Sequence, residues 1–332
     1  MIEFRQALIE ACTQADRVVI TSHQSPDDDS VSSTLATKYF LEQRVDAEVR
    51  IVYEGSCSQR WKDFAGFDQL EFVEDLRPVC TEADVVVFLD GNELSRFSDH
   101  ELSLPDASFC IDHHVADEHP FSHAVIDSAR TSTAEVLYEV LYERVVDKTA
   151  ARYLLLGILG DTANFRYVDA SKAAVFSVAK DLVEVGDIHV ESYQRTYGGT
   201  QREEFEVFAC LMGNVQIVDD TSWPTYAYAL LSTQEAQGFS DEDISGGAHM
   251  FVSWLKGVSG IEWGFVLTPR STGLTACSFR SVSVNVRLIA EGLEVGGGHD
   301  KAAGARFEAL PHEALQQIQE FVDAHEPVLA AR

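Results

Sequence analysis

Short apolar runs without alternation, set between turn-forming residues, mark the first half of the chain: Val18-Val19-Ile20, Val85-Val86-Val87-Phe88-Leu89 and Phe109-Cys110-Ile111. Runs of this length and β-branched content predict strands buried on both faces, as in a largely parallel sheet. Strands are expected over residues 17–21, 47–53, 84–89, 107–111 and 124–126, with a helix over 31–44 directly after the first. Strand followed by helix is βα grammar. From 132 to about 185, apolar residues recur at three- and four-residue spacing, which predicts helices, 133–145 and 150–159 among them, that cover the sheet.

The texture changes after a polar stretch from Gly186 and a glycine-rich break at Tyr197-Gly198-Gly199-Thr200. The second half reads as a helix (202–212), strands (215–218, 225–231), a helix (250–256), strands (262–267, 274–280), a short helix (284–290), a glycine loop and a C-terminal helix (311–324). The expected fold class is α/β, with a mainly parallel sheet covered by helices over residues 1–185. A linker over 186–205 then leads to a smaller α+β domain over 206–332. The acidic patch Ser240-Asp241-Glu242-Asp243 reads as a solvated loop.

Composition narrows the function. With 332 residues, 45% of them apolar, the chain can build two cores. Acidic residues outnumber basic ones 54 to 25, giving a net charge of -29, which works against any sequence-independent grip on long duplex nucleic acid or an anionic membrane. Cys12, Cys57, Cys80, Cys110, Cys210 and Cys277 show neither C-x-x-C pairing nor zinc-type spacing, and read as reduced, mostly buried thiols. The N-terminal segment carries acids where a signal peptide needs an apolar run, and no window reaches ~18 apolar residues, so a soluble, cytoplasmic protein is expected.

The chemistry concentrates at strand ends. His23-Gln24-Ser25-Pro26-Asp27-Asp28-Asp29-Ser30 follows the first predicted strand, at the carboxyl edge where open α/β sheets bind ligands. Carboxylates gathered this closely repel one another, so burying them calls for a cation. The competing reading is an acidic turn in which Asp29 or Ser30 caps the helix and His23 points at solvent. Asp90 ends the run 85–89, Asp112-His113-His114 ends 109–111, and Asp161-Thr162 closes the helical stretch 154–159. Four such groupings at crevice positions favour the metal reading over isolated turn acids. Carboxylate and imidazole without thiolate suit manganese, magnesium or zinc.

His-x-x-x-Asp-x-Asp, a lone strand-end Asp, Asp-His-His and Gly-Asp-Thr, in this order, resemble the DHH phosphoesterase superfamily. Gly296-Gly297-Gly298-His299-Asp300-Lys301 resembles the signature of its DHHA1 domain. The pairing of one DHH with one DHHA1 domain is similar to the branch of nanoRNases and phosphoadenosine-phosphate (pAp) phosphatases. The resemblance implies two divalent ions, manganese foremost with magnesium or cobalt as substitutes. His23 and Asp27 would hold one ion, Asp29, His113 and Asp161 the other, and Asp90 would bridge them. It implies that His114 meets the substrate as hydrogen-bond donor or proton source and that Asp112 fixes an imidazole in its ligating tautomer. Arg280 and His299, with Gly296, Gly297 and Gly298, would bind the remainder of the substrate across a cleft between the domains.

The sequence departs from the family at Asp28, where a small residue is usual, at Ser32, near which a glycine is usual, and at Val295, where the first glycine of a four-glycine run is usual. Asp28 adds negative charge beside the metals, and Val295 restricts the loop. The implied activity is stepwise release of 5'-mononucleotides from short oligoribonucleotides, with pAp and linear dinucleotides such as pApA as further substrates. The net charge agrees with a short nucleotide partner rather than a long duplex, and a homodimer is compatible with everything above. Two alternatives stay open: an inorganic pyrophosphatase or exopolyphosphatase, and a nucleotide-binding regulator without turnover.

Overall fold

The computed structural model describes residues 2–56, 61–116, 118–197, 200–219 and 222–329. Cys57 and the glycines of the break at 198–199 lie outside the described residues. The chain divides into two compact units, Met1–Gly199 and Thr200–Arg332.

The first unit opens with α1 (Ile2–Gln14), whose Phe4, Leu8 and Cys12 recur every four residues and are buried. β1 (Arg17–Thr21), α2 (Asp28–Glu42), β2 (Glu48–Glu54), β3 (Leu70–Val73), α3 (Arg77–Glu82), β4 (Val85–Leu89), β5 (Ala107–Asp112) and β6 (His123–Ile126) follow. α4 (Thr133–Val140), α5 (Lys148–Asp161), α6 (Val175–Gly186) and α7 (Val190–Tyr197) complete the unit. The strands form one sheet in the order β3-β2-β1-β4-β5-β6, with every pairing parallel. Along β4 the side chains alternate between two cores: Val85, Val87 and Leu89 join the layer containing Leu35, Leu137 and Leu155, whereas Val86 and Phe88 join Leu76, Cys80 and Phe97. Both faces are thus covered, which is why the strand shows no polar alternation. The winding reverses between β1 and β4, and in such a sheet the crevice for ligands lies beyond the strand ends at that reversal.

The second unit holds α8 (Arg202–Gly213), β7 (Gln216–Val218), β8 (Tyr226–Leu230), α9 (Asp241–Leu255), β9 (Trp263–Pro269), β10 (Thr275–Ser281), α10 (Arg287–Gly292), β11 (Gly296–His299), β12 (Ala302–Phe307) and α11 (Pro311–Ala324). Its sheet runs β11-β12-β10-β9-β8-β7, antiparallel except for β8 with β9. One face packs on residues of α8 and α9, including Val207, Leu211 and Phe251, and the other on Ile289, Ala314, Ile318 and Val322.

Several expectations need correction. The residues read as a linker, 186–205, contain the division between the two units at 199/200 but also carry α7 and the start of α8. The acidic patch is the first turn of α9: Ser240 caps it by accepting from Asp243 N at 3.1 Å, while Asp243 bonds back to Ser240 N at 2.9 Å. The glycine loop is a strand, because β11 pairs with β12 from Gly296 to His299.

Candidate metal centre

β1 hands over to Ser22 and His23, both buried, before α2 begins. Asp27 caps α2 by accepting from Ser30 N at 3.0 Å, so the cap is neither Asp29 nor Ser30. Asp29 is thereby free to turn inward. Fully buried, its Oδ2 accepts from Thr133 N at 2.6 Å and its Oδ1 from Ala134 N at 2.9 Å, satisfying two amides at the start of α4. Asp90 follows β4 in the left-handed region at φ 58, a conformation aspartate tolerates better than most residues. His113 and His114 follow β5, and Asp161 ends α5. α5 approaches α2 through glycines: a Cβ on Gly157 would stand 2.4 Å from Asp29 Oδ1, and one on Gly160 would stand 2.4 Å from Asp28 Cβ.

The side chains converge on Asp90. His23 Nε2 lies 3.3 Å from Asp90 Oδ2 and 3.7 Å from Asp27 Oδ2. His113 Nε2 lies 3.0 Å from Asp161 Oδ2 and 3.7 Å from Asp90 Oδ1. The two oxygens of one carboxylate therefore face two imidazoles. Donor atoms of His23, Asp27 and Asp90 fall within 4.8 Å of one another, as do those of Asp29, His113 and Asp161, and those of Asp90, Asp112, His113 and His114.

Electrostatics supply the test of fit for a cation. Burial, and then the charges of Asp90 and Asp161, hold the Asp29 carboxyl well above the carboxylate range. Burial, with Asp27 and Asp90, pushes Asp161 up to about 8. Burial disfavours a charged His23, yet the neighbouring carboxylates of Asp27 and Asp90 prevail and push it up to about 9. The Nε2 atoms of both His23 and His113 are buried without a hydrogen-bond partner. Crowded carboxylates that resist ionising, beside orphaned imidazole nitrogens, are the arrangement that divalent cations relieve, and the oxygen and imidazole donors suit them.

Residues 17–158 match the DHH family, N-terminal domain. The match lies within the N-terminal unit and takes in most of it. The chain is 27% identical to the bifunctional oligoribonuclease and PAP phosphatase NrnA of Thermus thermophilus, over 92% of this chain and 89% of that protein. It is also 27% identical to the cyclic-di-AMP phosphodiesterase PdeA of Listeria monocytogenes, over 96% of this chain, though it spans only 49% of that relative. An exopolyphosphatase-related protein of Bacteroides fragilis shares the fold, with a TM-score of 0.82 at 22% identity, covering 97% of this chain and 96% of that one.

In the N-terminal unit, Asp112 holds the other imidazole of the pair. Its Oδ1 lies 2.8 Å from His114 Nδ1, whereas it meets His113 only at the backbone N, also at 2.8 Å. The imidazole that Asp112 orients is therefore that of His114. Burial raises the Asp112 carboxyl, but the hydrogen bond and charge of His114 bring it below its ordinary value. An ionised Asp112 only accepts, so His114 Nδ1 carries a proton and donates it to Asp112.

Sequence reasoning missed the residues that hold this set in place. Thr133 donates through Oγ1 to Asp90 at 3.2 Å as well as through N to Asp29, and Asn92 Nδ2 donates to Asp112 Oδ2 at 2.6 Å. Glu54 accepts from Gln24 Nε2, Leu76 N, Asp99 N and Ser98 Oγ at 2.6–2.9 Å, tying the His23 loop to its neighbours. Trp61 Nε1 donates to Asp28 Oδ1 at 2.7 Å, so Asp28 is held by a partner. Ser132-x-x-Glu135 ahead of an apolar run is the capping signal that marks Thr133.

The remaining residues singled out lie in the second unit. Arg280 of β10 and His299 of β11 both pair with Ala302 of β12, so the two share one cross-strand row and one face. Gly296 and Gly298 face the opposite way, and a Cβ there would meet the backbone of β12 at 2.0 and 2.7 Å. Gly297 shares the face of His299 and has open space above it.

Proposed function

We propose that the chain is a metal-dependent phosphohydrolase of short nucleotides, releasing 5'-mononucleotides from oligoribonucleotides and also taking pAp and linear dinucleotides such as pApA. The observation that carries this reading is the pair of donor groups meeting on the two oxygens of Asp90. His23 and Asp27 would hold one divalent ion, Asp29, His113 and Asp161 a second, with Asp90 shared and manganese the preferred metal. Ions bound there would neutralise phosphate oxygens and lower the pKa of an attacking water. His114, its Nδ1 proton fixed by Asp112, presents Nε2 to the substrate and, in its imidazolium form, gives the Nε2 proton to the leaving oxygen and is left neutral. Arg280 and His299 contact the part of the nucleotide beyond the scissile phosphate, and a minimal ester lacks that part. Similarity to an oligoribonuclease and PAP phosphatase over nearly the whole chain supports a nucleotide substrate. The net charge of -29 supports a short one.

A substrate panel with manganese tests this. Mononucleotide release from a short oligoribonucleotide and from pApA, with pyrophosphate untouched, is the expected result. Turnover of pyrophosphate alone would favour the pyrophosphatase alternative, and tight binding of nucleotides without turnover would favour a regulator.

A further inference from the structure

The C-terminal sheet is covered unequally. Over β8 and β9, one face packs under α8 and α9 through Ala227, Ala229 and Val266. On β10 and β12, Cys277, Phe279, Ala303, Ala305 and Phe307 point into the opposite core. Their alternates on the first face, Ala276, Ser278, Arg280, Ala302, Gly304 and Arg306, are half-buried or exposed. This strip is made of small residues, and its charged members are both arginines.

At the end away from Arg280 the strip deepens into a groove of about 860 Å³, with Arg270, Arg306, Ala276 and Gly304 in its walls. Arg270 belongs to the turn between β9 and β10 and is held by Nη1, which donates to Asp241 O at 2.9 Å and to Ser245 Oγ at 2.8 Å. Its Nε and Nη2 make no hydrogen bond, which leaves most of the guanidinium's donors unused. Arg306 pairs with Ala276 across the ladder, is exposed, and its guanidinium makes neither hydrogen bond nor ion pair. The carboxylate in the groove wall, Asp241, is already engaged by Ser271 N at 2.9 Å and Ser271 Oγ at 2.6 Å. Burial, and then the like charge of Arg306, hold the Arg270 guanidinium below its ordinary value against the pull of Asp241. Two guanidiniums share this concavity with one carboxylate, so the groove carries a surplus positive charge that an anion can join.

We propose that the Arg270–Arg306 groove is a phosphate subsite for a nucleotide chain that runs along the open strip past the Arg280–His299 row, and that it sets a preference for substrates longer than a dinucleotide. The inference rests on the reading above that Arg280 and His299 contact nucleotide. Four residues of strand separate the Arg280 and Arg306 ends of the strip, about 13 Å at ~3.3 Å per residue, further than one phosphate spans. The small side chains between them leave the backbone open to sugars and flat bases, whereas a lone inorganic anion would need no strip. Planar guanidinium forks match phosphate oxygens.

The test uses the full chain with manganese and compares pApA with a penta-adenylate. Arg306→Ala is expected to lower kcat/KM about tenfold on the pentanucleotide and less than twofold on pApA. In calcium, binding of a fluorescein-labelled penta-adenylate should show a log K against log[salt] slope shallower by ~0.7 for Arg306→Ala, with the wild-type slope restored in Arg306→Lys. Equal losses on both lengths, or an unchanged salt slope, overturn the subsite. If the wild type hydrolyses neither substrate, the proposed activity fails, and the binding slope alone still decides the groove.

Discussion

The N-terminal unit buries Asp29, Asp90 and Asp112, none more than 2% exposed, whereas the C-terminal sheet leaves Arg306 and His299 at the surface and Arg280 half-buried. In the first region like charges are forced together by β1, β4, β5 and the helices that follow, at a cost that only a cation or protonation removes. In the second, cations stand on a strip where small residues clear the approach. The first arrangement suits bond-breaking at phosphorus and the second suits holding what is attached to it. A phosphohydrolase selective for nucleotides needs both.

The largest expected effect strikes the first region. Asp90→Ala should leave the fold intact and reduce turnover by at least three orders of magnitude, because one carboxylate serves both donor groups. Retention of a tenth of the wild-type rate, a loss of only ~1.4 kcal/mol, would refute the shared ligand. Next, His113 and His114 should separate. His113→Ala should lower manganese affinity by one to two orders of magnitude, while His114→Ala should lower kcat with metal content nearly unchanged. Metal analysis of the purified variants with the opposite pattern would reverse the two roles.

The second region is sharpened by Arg280→Ala. It should cost ~1.5–3 kcal/mol in kcat/KM for a dinucleotide while scarcely changing hydrolysis of bis-p-nitrophenyl phosphate. Parallel losses on both substrates would mean that Arg280 supports the fold rather than the nucleotide. The smallest effect is on stability. In chelator-treated protein, Asp161 and His23 hold protons up to about 8 and about 9, above the ordinary values of 3.8 and 6.5. Raised folded-state values stabilise at low pH, and that contribution is lost as pH climbs through them. The melting temperature of the metal-free chain should therefore fall from pH 6 to pH 9, and manganese should raise it more at pH 8 than at pH 6. A flat metal-free profile would contradict the electrostatic account.

The proposed ligands were legible in the sequence because most of them sit where an apolar strand or helix stops, as Asp90 does after Val85–Leu89, and Asp27 and Asp29 sit at the start of the helix that follows β1. The residues that aim them were not. Thr133 reaches Asp29 across 104 positions and Glu54 reaches Ser98 across 44, and no local pattern encodes such pairs. β3 escaped notice because it is only four residues long with three of them half-buried. The first half of α9 was hidden by Gly246 and Gly247, which normally break helices. Here a Cβ on Gly247 would stand 2.6 Å from Val207 Cγ1 and 2.8 Å from the backbone O of Glu204 in α8, so close helix packing requires that glycine. β11 was read as a loop for a similar reason, since its glycines meet a tight backbone approach from β12.

The central claim is that Asp90 is shared by two cations, and metal counting tests it most directly. Wild-type chain loaded with manganese and then desalted should retain two equivalents by mass spectrometry, and Asp90→Ala should retain fewer than one. A single equivalent in the wild type, or two retained by Asp90→Ala, would contradict the account.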